Sequence, residues 1–385
     1  MKVAYVYTAL VTVGGTDRVV IDKANYLADV LGYDVVIVTD TQLGRPPVFP
    51  LSPKVRLHDL AVDFSQEYGH SLPVRVWWYW RLMRRYKRLL RQTLDQQKPD
   101  VVISTMGREM DIITSMKQPG RVVMGEVHLA KPFMRGLHLM RARGGIYRLL
   151  AVWMMRRQER HASQLDRLVV LTHQDARSWE GIVPTTVIPN FYPFYPKQLD
   201  EPKSGKTVIA VGRYSEQKGY DLLIAAWHLV NRRHPDWQLN IFGNGLIRHE
   251  YDQLLDGYGL HEVVHLNPPS MDIEREYQRS DFYVLSSRYE GFGMVLVEAM
   301  TCGLPCVSFD CPHGPSDIVT HGEDGLMVEP GNVEKLADAI CWMIEHPEER
   351  KDMGRKARQN VKRYAPECVM KQWDALFNEL TSKQP

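Results

Sequence analysis

The sequence has little cysteine: five thiols in 385 residues, all in the last quarter of the chain. The number is odd, and no CxxC pair or adjacent histidine cluster accompanies it, which argues against a disulfide framework and a tetrahedral thiolate metal site. Cys302, Cys306, Cys311, Cys341 and Cys368 are therefore expected to be reduced and buried. Long hydrophobic runs are also missing. The apolar stretches are strand-sized and broken by charge, short of the roughly 20 residues a spanning helix needs. Residues 1–7 carry one lysine and neither a long apolar core nor a small-residue cleavage site, so no secretory leader is expected and the chain should stay in the cytoplasm. No charge sign dominates. Forty-eight basic residues against 46 acidic ones leave +2, so no global charge excess calls for nucleic acid as a partner. Short internal repeats and low-complexity segments are absent as well.

What is present is ample core material: 44% of the residues are hydrophobic, in a chain of about two to three domain lengths. Apolar, β-branched runs at 3–7, 34–39, 100–104, 121–125 and 167–171 alternate with helix-like segments. The alternation resumes at 207–211, 239–242, 263–266, 282–285, 305–309 and 325–328, the pattern of βα units feeding parallel sheets. Residues 332–345 read as a core-facing helix, with Val333, Leu336, Ile340 and Ile344 on one face. Between the two series, Pro189, Pro193 and Pro196 interrupt both periodicities, and a polar stretch follows to Lys206. The expected fold is α/β, with two doubly wound Rossmann-like domains: 1–196, 197–365, and a C-terminal helix over 366–385 that packs back on the first. Ligands of such sheets lie beyond the carboxyl ends of the strands, so the cleft between the domains is the expected site.

Three loops after strands carry residues suited to chemistry. Gly14 and Gly15 follow the first strand and open a helix; paired glycines there admit a phosphate to backbone amides at a helix N-terminus, although a plain tight turn accounts for them equally. Arg213 and Lys218, after the first strand of the second half, place a guanidinium and an ammonium where both could neutralise a diphosphate, the alternative being two solvated loop charges. Ser286 to Met300 begins at a strand end and holds Glu290 and Glu298 eight positions apart, with glycines flanking Phe292. If most of that interval is helical, the two carboxylates reach one cleft at separate heights. Glu298 lies among Val295, Leu296, Val297, Ala299 and Met300, a setting in which a carboxylate is buried and needs a partner.

The run Glu290-Gly-Phe-Gly-Met-Val-Leu-Val-Glu298 resembles the E-x7-E signature of the retaining, nucleotide-sugar-dependent glycosyltransferases of the GT-B fold placed in glycosyltransferase family four. Gly14-Gly15 is similar to that family's glycine pair, Gly212-Arg213 with Lys218-Gly219 to its diphosphate loop, and Ala299-Met300 with Cys302-Gly303-Leu304-Pro305 to its continuation. The resemblance implies that Arg213 and Lys218 hold the donor diphosphate, that Glu298 accepts from the ribose hydroxyls and that Glu290 faces the transferred sugar. Amides around Phe292, Gly293 and Met294 would contact the sugar or distal phosphate, and Gly15 would close on the phosphate. His128 matches an active-site histidine contacting the donor sugar, for orientation rather than proton transfer; Val127 separates it from Glu126, the lesser contributor of the two. The stretch Cys311 to Asp317 either shapes the sugar pocket or is a rigid turn.

With no Asp-x-Asp pair in the sequence, no cofactor and no metal is expected, and amide dipoles and cations would stabilise the leaving diphosphate. The implied reaction moves a hexose or N-acetylhexosamine from a nucleotide-sugar, with uridine diphosphate the expected carrier, to a lipid-linked or polysaccharide acceptor in α-linkage. The rival readings are a nucleotide-sugar 2-epimerase of the same fold and a binding protein without turnover. Two basic stretches edged with aromatics, 75–98 and 131–160, suit the anionic inner face of the cytoplasmic membrane or a lipid diphosphate; ordinary amphipathic helices packing inward are the alternative.

Overall fold

The computed structural model describes residues 1–12, 14–67, 69–199 and 205–383. The chain forms two compact units, one of Met1–Pro189 with Pro366–Pro385, the other of Asn190–Ala365.

The first unit is built on β1 (Lys2–Tyr7), β2 (Asp34–Thr39), β3 (Arg56–Asp59), β4 (Val101–Ser104), β5 (Val122–Glu126), β6 (Arg167–Val170) and β7 (Thr185–Val187). They form one parallel sheet in the order β3-β2-β1-β4-β5-β6-β7. Strands covered on both faces need continuous apolar runs, and β4 and β5 are buried at every position. The chain order reverses between β1 and β4, the place where open α/β sheets bind ligands.

The second unit repeats the plan with β8 (Thr207–Val211), β9 (Gln238–Phe242), β10 (Val264–Asn267), β11 (Phe282–Leu285), β12 (Cys306–Phe309) and β13 (Gly325–Val328). All pairs are parallel, in the order β10-β9-β8-β11-β12-β13. Here the reversal falls between β8 and β11, so the loops that leave these two strands become neighbours. Helix Val333–Glu345 covers one face; its Asn332 cap accepts from the Lys335 amide at 3.0 Å.

The passage between units comes after Pro189, ahead of the boundary expected at 196. Residues beyond it are tied into the second unit: the Tyr192 amide donates to Tyr364 O at 3.1 Å, and Tyr195 lies 4.3 Å beneath the Arg358 guanidinium. The terminal helix Pro366–Ser382 belongs to the first unit, where it buries Val369, Met370, Trp373, Leu376, Phe377 and Leu380. Four cysteines are buried, whereas Cys368, on the outer face of this helix, is exposed, contrary to expectation. Burial pushes the Cys302 thiol up to about 12, so it is inert as a nucleophile.

Candidate active site

In the second unit the loops after β8 and β11 are stitched together. The Arg288 amide donates to Gln217 O at 2.8 Å, the Gln217 side chain donates to Tyr289 O at 3.0 Å, and Ser286 Oγ donates to Lys218 O at 2.9 Å. The Arg288 guanidinium grips Asp221 bidentately at 2.8 and 2.7 Å. Gly219 turns the first loop at φ +61°, where a side chain would place its Cβ 2.1 Å from Ser286 O, so only glycine fits this approach.

This stitching brings Lys218 and Glu290 into contact. The Lys218 ammonium donates to Glu290 Oε1 at 2.7 Å, and Ser287 Oγ donates to the same oxygen at 2.6 Å. Both ends of the ion pair are largely shielded, with 13% and 8% of their side chains exposed, so the charges interact more strongly than they would in water. Arg213 is exposed and has no ion-pair partner among the described residues.

The helix expected between the two glutamates covers only Met294–Thr301. Gly293, its cap, has φ +101°, and Glu290 precedes it in a loop held by its amide to Pro312 O at 3.1 Å. The loop 311–317 thus supports the Glu290 backbone. Glu298 is half-buried on the helix and accepts from the Tyr277 hydroxyl at 3.1 Å, which fixes one carboxylate oxygen. The Phe292 ring is buried edge-on against Tyr364 at 5.5 Å, leaving its backbone as the part able to meet a ligand. Met294 is half-buried at the helix start.

In the first unit, Gly14 caps helix Gly15–Asp29 with an extended backbone. A Cβ on Gly15 would meet nothing within 4 Å among the described residues, and one on Gly14 only Thr12 Oγ1 at 3.5 Å. The packing therefore does not demand glycine at either place, and the Gly14 amide donates to Thr12 O at 2.8 Å. Asp17 anchors this loop by accepting from Tyr7 Oη, Thr12 N and Thr12 Oγ1 at 2.5, 2.9 and 2.8 Å.

His128 follows β5, with 9% of its side chain exposed. Its Nε2 lies 3.4 Å from Glu126 Oε1, and burial holds the imidazole below its ordinary range. Glu126 is fully buried and takes a hydrogen bond from Lys23, itself 1% exposed. Lys23, Ser287 and Tyr277 are contributors that motif reading missed. A signal for Lys23 existed: it sits among Val20, Ala24 and Leu27 on the apolar face of its helix.

The two basic stretches take different forms. Residues 75–97 lie in one helix, Leu72–Gln97, with Lys98 as its left-handed C-cap. Its later turns bury Leu82, Tyr86, Leu90 and Leu94, while Val76, Trp77 and Trp80 in its first turns are about half exposed. A groove of about 570 Å³ there is lined by Trp78, Leu82 and four arginines, Arg81, Arg84, Arg85 and Arg88. Residues 131–160 divide into a 3-10 turn, Lys131–Gly136, and two helices, Leu137–Ala142 and Gly145–Ala162, because Gly136 and Gly144 break the run with positive φ. The last helix leaves Ile146 75%, Leu149 72% and Trp153 56% exposed. No helix among the described residues is long and apolar enough to cross a membrane.

Both units match known protein families. Residues 13–194 match the profile of Glycosyltransferase Family 4, and residues 192–360 match that of Glycosyl transferases group 1. The chain is a glycosyltransferase of the GT-B type, its first half matching family four and its second half group 1. Over 381 residues it is 27% identical to an uncharacterized glycosyltransferase of Haemophilus influenzae, covering 98% of this chain and 99% of that one. It is 36% identical over 232 residues to an exopolysaccharide phosphotransferase of Streptomyces coelicolor; the match takes in 58% of this chain and only about a quarter, 24%, of that protein. The fold is that of a variant of S. aureus TarM solved with fondaparinux, alpha-GlcNAc-glycerol and UDP, with a TM-score of 0.77, 16% identity, and coverage of 98% and 99% of the two chains.

Proposed function

We propose that this glycosyltransferase is retaining and metal-independent, and that it transfers a hexose or N-acetylhexosamine from a uridine diphosphate donor to a lipid-linked or polysaccharide acceptor, forming an α-glycosidic bond. The observation that carries the reading is the contact of Lys218 with Glu290 at the switch point of the second sheet: an ammonium suited to a leaving diphosphate stands 2.7 Å from a carboxylate suited to sugar hydroxyls. The acceptor oxygen bonds to the anomeric carbon as the bond to the diphosphate breaks. The electron pair stays on the diphosphate, where Lys218 and Arg213 offset its charge, and the acceptor's proton leaves on a phosphate oxygen. Glu298, steadied by Tyr277, accepts from the ribose. The helix start at Gly15 suits the phosphate, and His128 orients the sugar. UDP and alpha-GlcNAc-glycerol, named together in the TarM complex, support the donor base and the stereochemistry. The exposed apolar residues and the arginine groove of the first unit support peripheral contact with the anionic inner face of the cytoplasmic membrane, where a lipid-linked acceptor is presented.

Calorimetric titration with UDP, GDP and ADP in the presence of a chelator tests the donor side. UDP should bind, Glu298→Ala should weaken it at least about tenfold, and Lys218→Ala should chiefly lower turnover, by roughly 10²-fold, the scale of a lost charge-stabilising contact. Binding that appears only when Mg²⁺ is added would end the metal-independent reading. A β-configured product, seen in the anomeric proton coupling, would end the retaining one.

A further inference from the structure

His128 is the end of a buried polar chain that crosses the first unit. Glu126, the last residue of β5, has no exposed side-chain surface, and Lys23 donates to its Oε1 from helix Gly15–Asp29. The same carboxylate oxygen faces His128 Nε2 at 3.4 Å. On its far side the Lys23 ammonium lies 4.2 Å from the ring centroid of Trp373, a residue of the terminal helix that is 1% exposed. Tyr5 of β1 is also fully buried and feels the Glu126 charge. These are the titratable groups that bear on the imidazole: Glu126 from its own strand end, Lys23 from the helix opposite, and Tyr5 beside the carboxylate.

A buried ion pair is an expensive filling for a space that two apolar side chains would occupy as well, and such pairs are best attested where they fix an arrangement. Here the contacts run in a single line. The aromatic face of Trp373 holds the ammonium, the ammonium selects one oxygen of Glu126, and that oxygen faces one ring nitrogen of His128. We infer that Lys23 and Glu126 are positioning residues for His128 and that Trp373 anchors them, so that the terminal helix sets the orientation of the imidazole. That this imidazole then meets the donor sugar rests on the function proposed above. Burial lowers the Lys23 ammonium from its ordinary range while Glu126 holds it up; for His128 burial again lowers, Lys23 adds to the lowering and Glu126 opposes it. The two partners thus pull the histidine in opposite directions, which gives the arrangement a signature that simple packing lacks.

The test is a pH titration of the full chain with ring-labelled histidine, followed by NMR, the His128 signal being identified by its loss in His128→Asn. Lys23→Met leaves Glu126 unopposed and should raise the His128 midpoint by about one pH unit, whereas Glu126→Gln should lower it by a similar amount, the usual scale for one nearby charge. If either single variant fails to fold, the double variant, which leaves no unpaired buried charge, takes its place; its midpoint should return toward the wild-type value with the ring resonances displaced. Trp373→Leu should move the His128 ring resonances and Trp373→Phe, which keeps an aromatic face, should not. Shifts of the same sign in Lys23→Met and Glu126→Gln, or no shift in either, overturn the inference. An unmoved His128 signal in Trp373→Leu removes the terminal helix from it. The readout needs no donor, so a wild-type chain that binds no UDP yet shows the opposed shifts would defeat the proposed function and leave the positioning intact.

Discussion

Asp40 stands at the end of β2 with 1% of its surface exposed. Its carboxyl is pushed up to about 6, first by burial, with the Thr41 hydroxyl and Arg108, whose Nε is 3.7 Å away, pulling the other way. A carboxyl that titrates higher in the folded chain than in the unfolded one binds more protons when folded. Its contribution is therefore greatest below the unfolded value near 4 and is lost as pH rises toward 6. The unfolding free energy of the first unit should fall across that window by up to roughly 3 kcal/mol from this group. Asp40→Asn should flatten the fall; urea midpoints taken between pH 4 and 7 on both proteins measure it, and equal slopes would clear Asp40 of the effect. Residues of this kind explain the uneven legibility of the site. Lys218 and Glu290 stand in segments directly after strands, where position alone hints at chemistry, and Glu298 follows on the next helix. Lys23 sits inside an apolar helix face, and its partner Glu126 is 103 positions away, so only the folded sheet brings them together.

Among the elements, the central strands were readable because burial on both faces demands unbroken β-branched runs. The reading of 34–39 and 207–211 coincides with β2 and β8. The edges of the first sheet were not readable, whereas those of the second, β10 and β13, were. β3 is Arg56-Leu57-His58-Asp59, polar at every position but Leu57 and exposed at Arg56 and His58, and β7 is three residues long. Short, charged edge strands resist pairing with other chains, and that same composition hides them from any search for hydrophobic runs. The helix Gly145–Ala162 presents the opposite case. Only Ala151 and Ala162 are buried on it, so its apolar residues contribute almost nothing to the core. Replacing Ile146, Leu149 and Trp153 together by serine should leave the melting temperature within about a degree, since surface changes rarely exceed ±0.5 kcal/mol. The same triple variant should lose most of its co-sedimentation with phosphatidylglycerol vesicles, and unchanged vesicle binding would remove this helix from the membrane-contact proposal.

At the scale of the molecule, the chain leaves the first unit after Pro189 and returns to it at Pro366. The second unit is thus one uninterrupted segment with its own hydrophobic core, and residues 190–365 expressed alone should unfold cooperatively in urea and keep UDP affinity within a few-fold of the full chain. The first unit has no such independence. The terminal helix gives it six buried apolar side chains, each worth about 1.5–3 kcal/mol, a sum comparable with the roughly 5–15 kcal/mol that keeps a whole domain folded. A chain stopped at Ala365 should show the second unit's transition in calorimetry and lack the first unit's; two intact transitions would show that the helix is dispensable.

The return of the chain to its first unit also sets an order of events at the ribosome. Residues 1–189 are synthesised first, yet the Trp373 face that covers Lys23 is made last, after about 190 further residues, or roughly 10 to 40 seconds at ordinary rates of elongation. For that interval the nascent unit carries an uncovered ammonium and a bare apolar groove. A message cut short ahead of Val369 would yield a protein whose second half is sound and whose first half never closes.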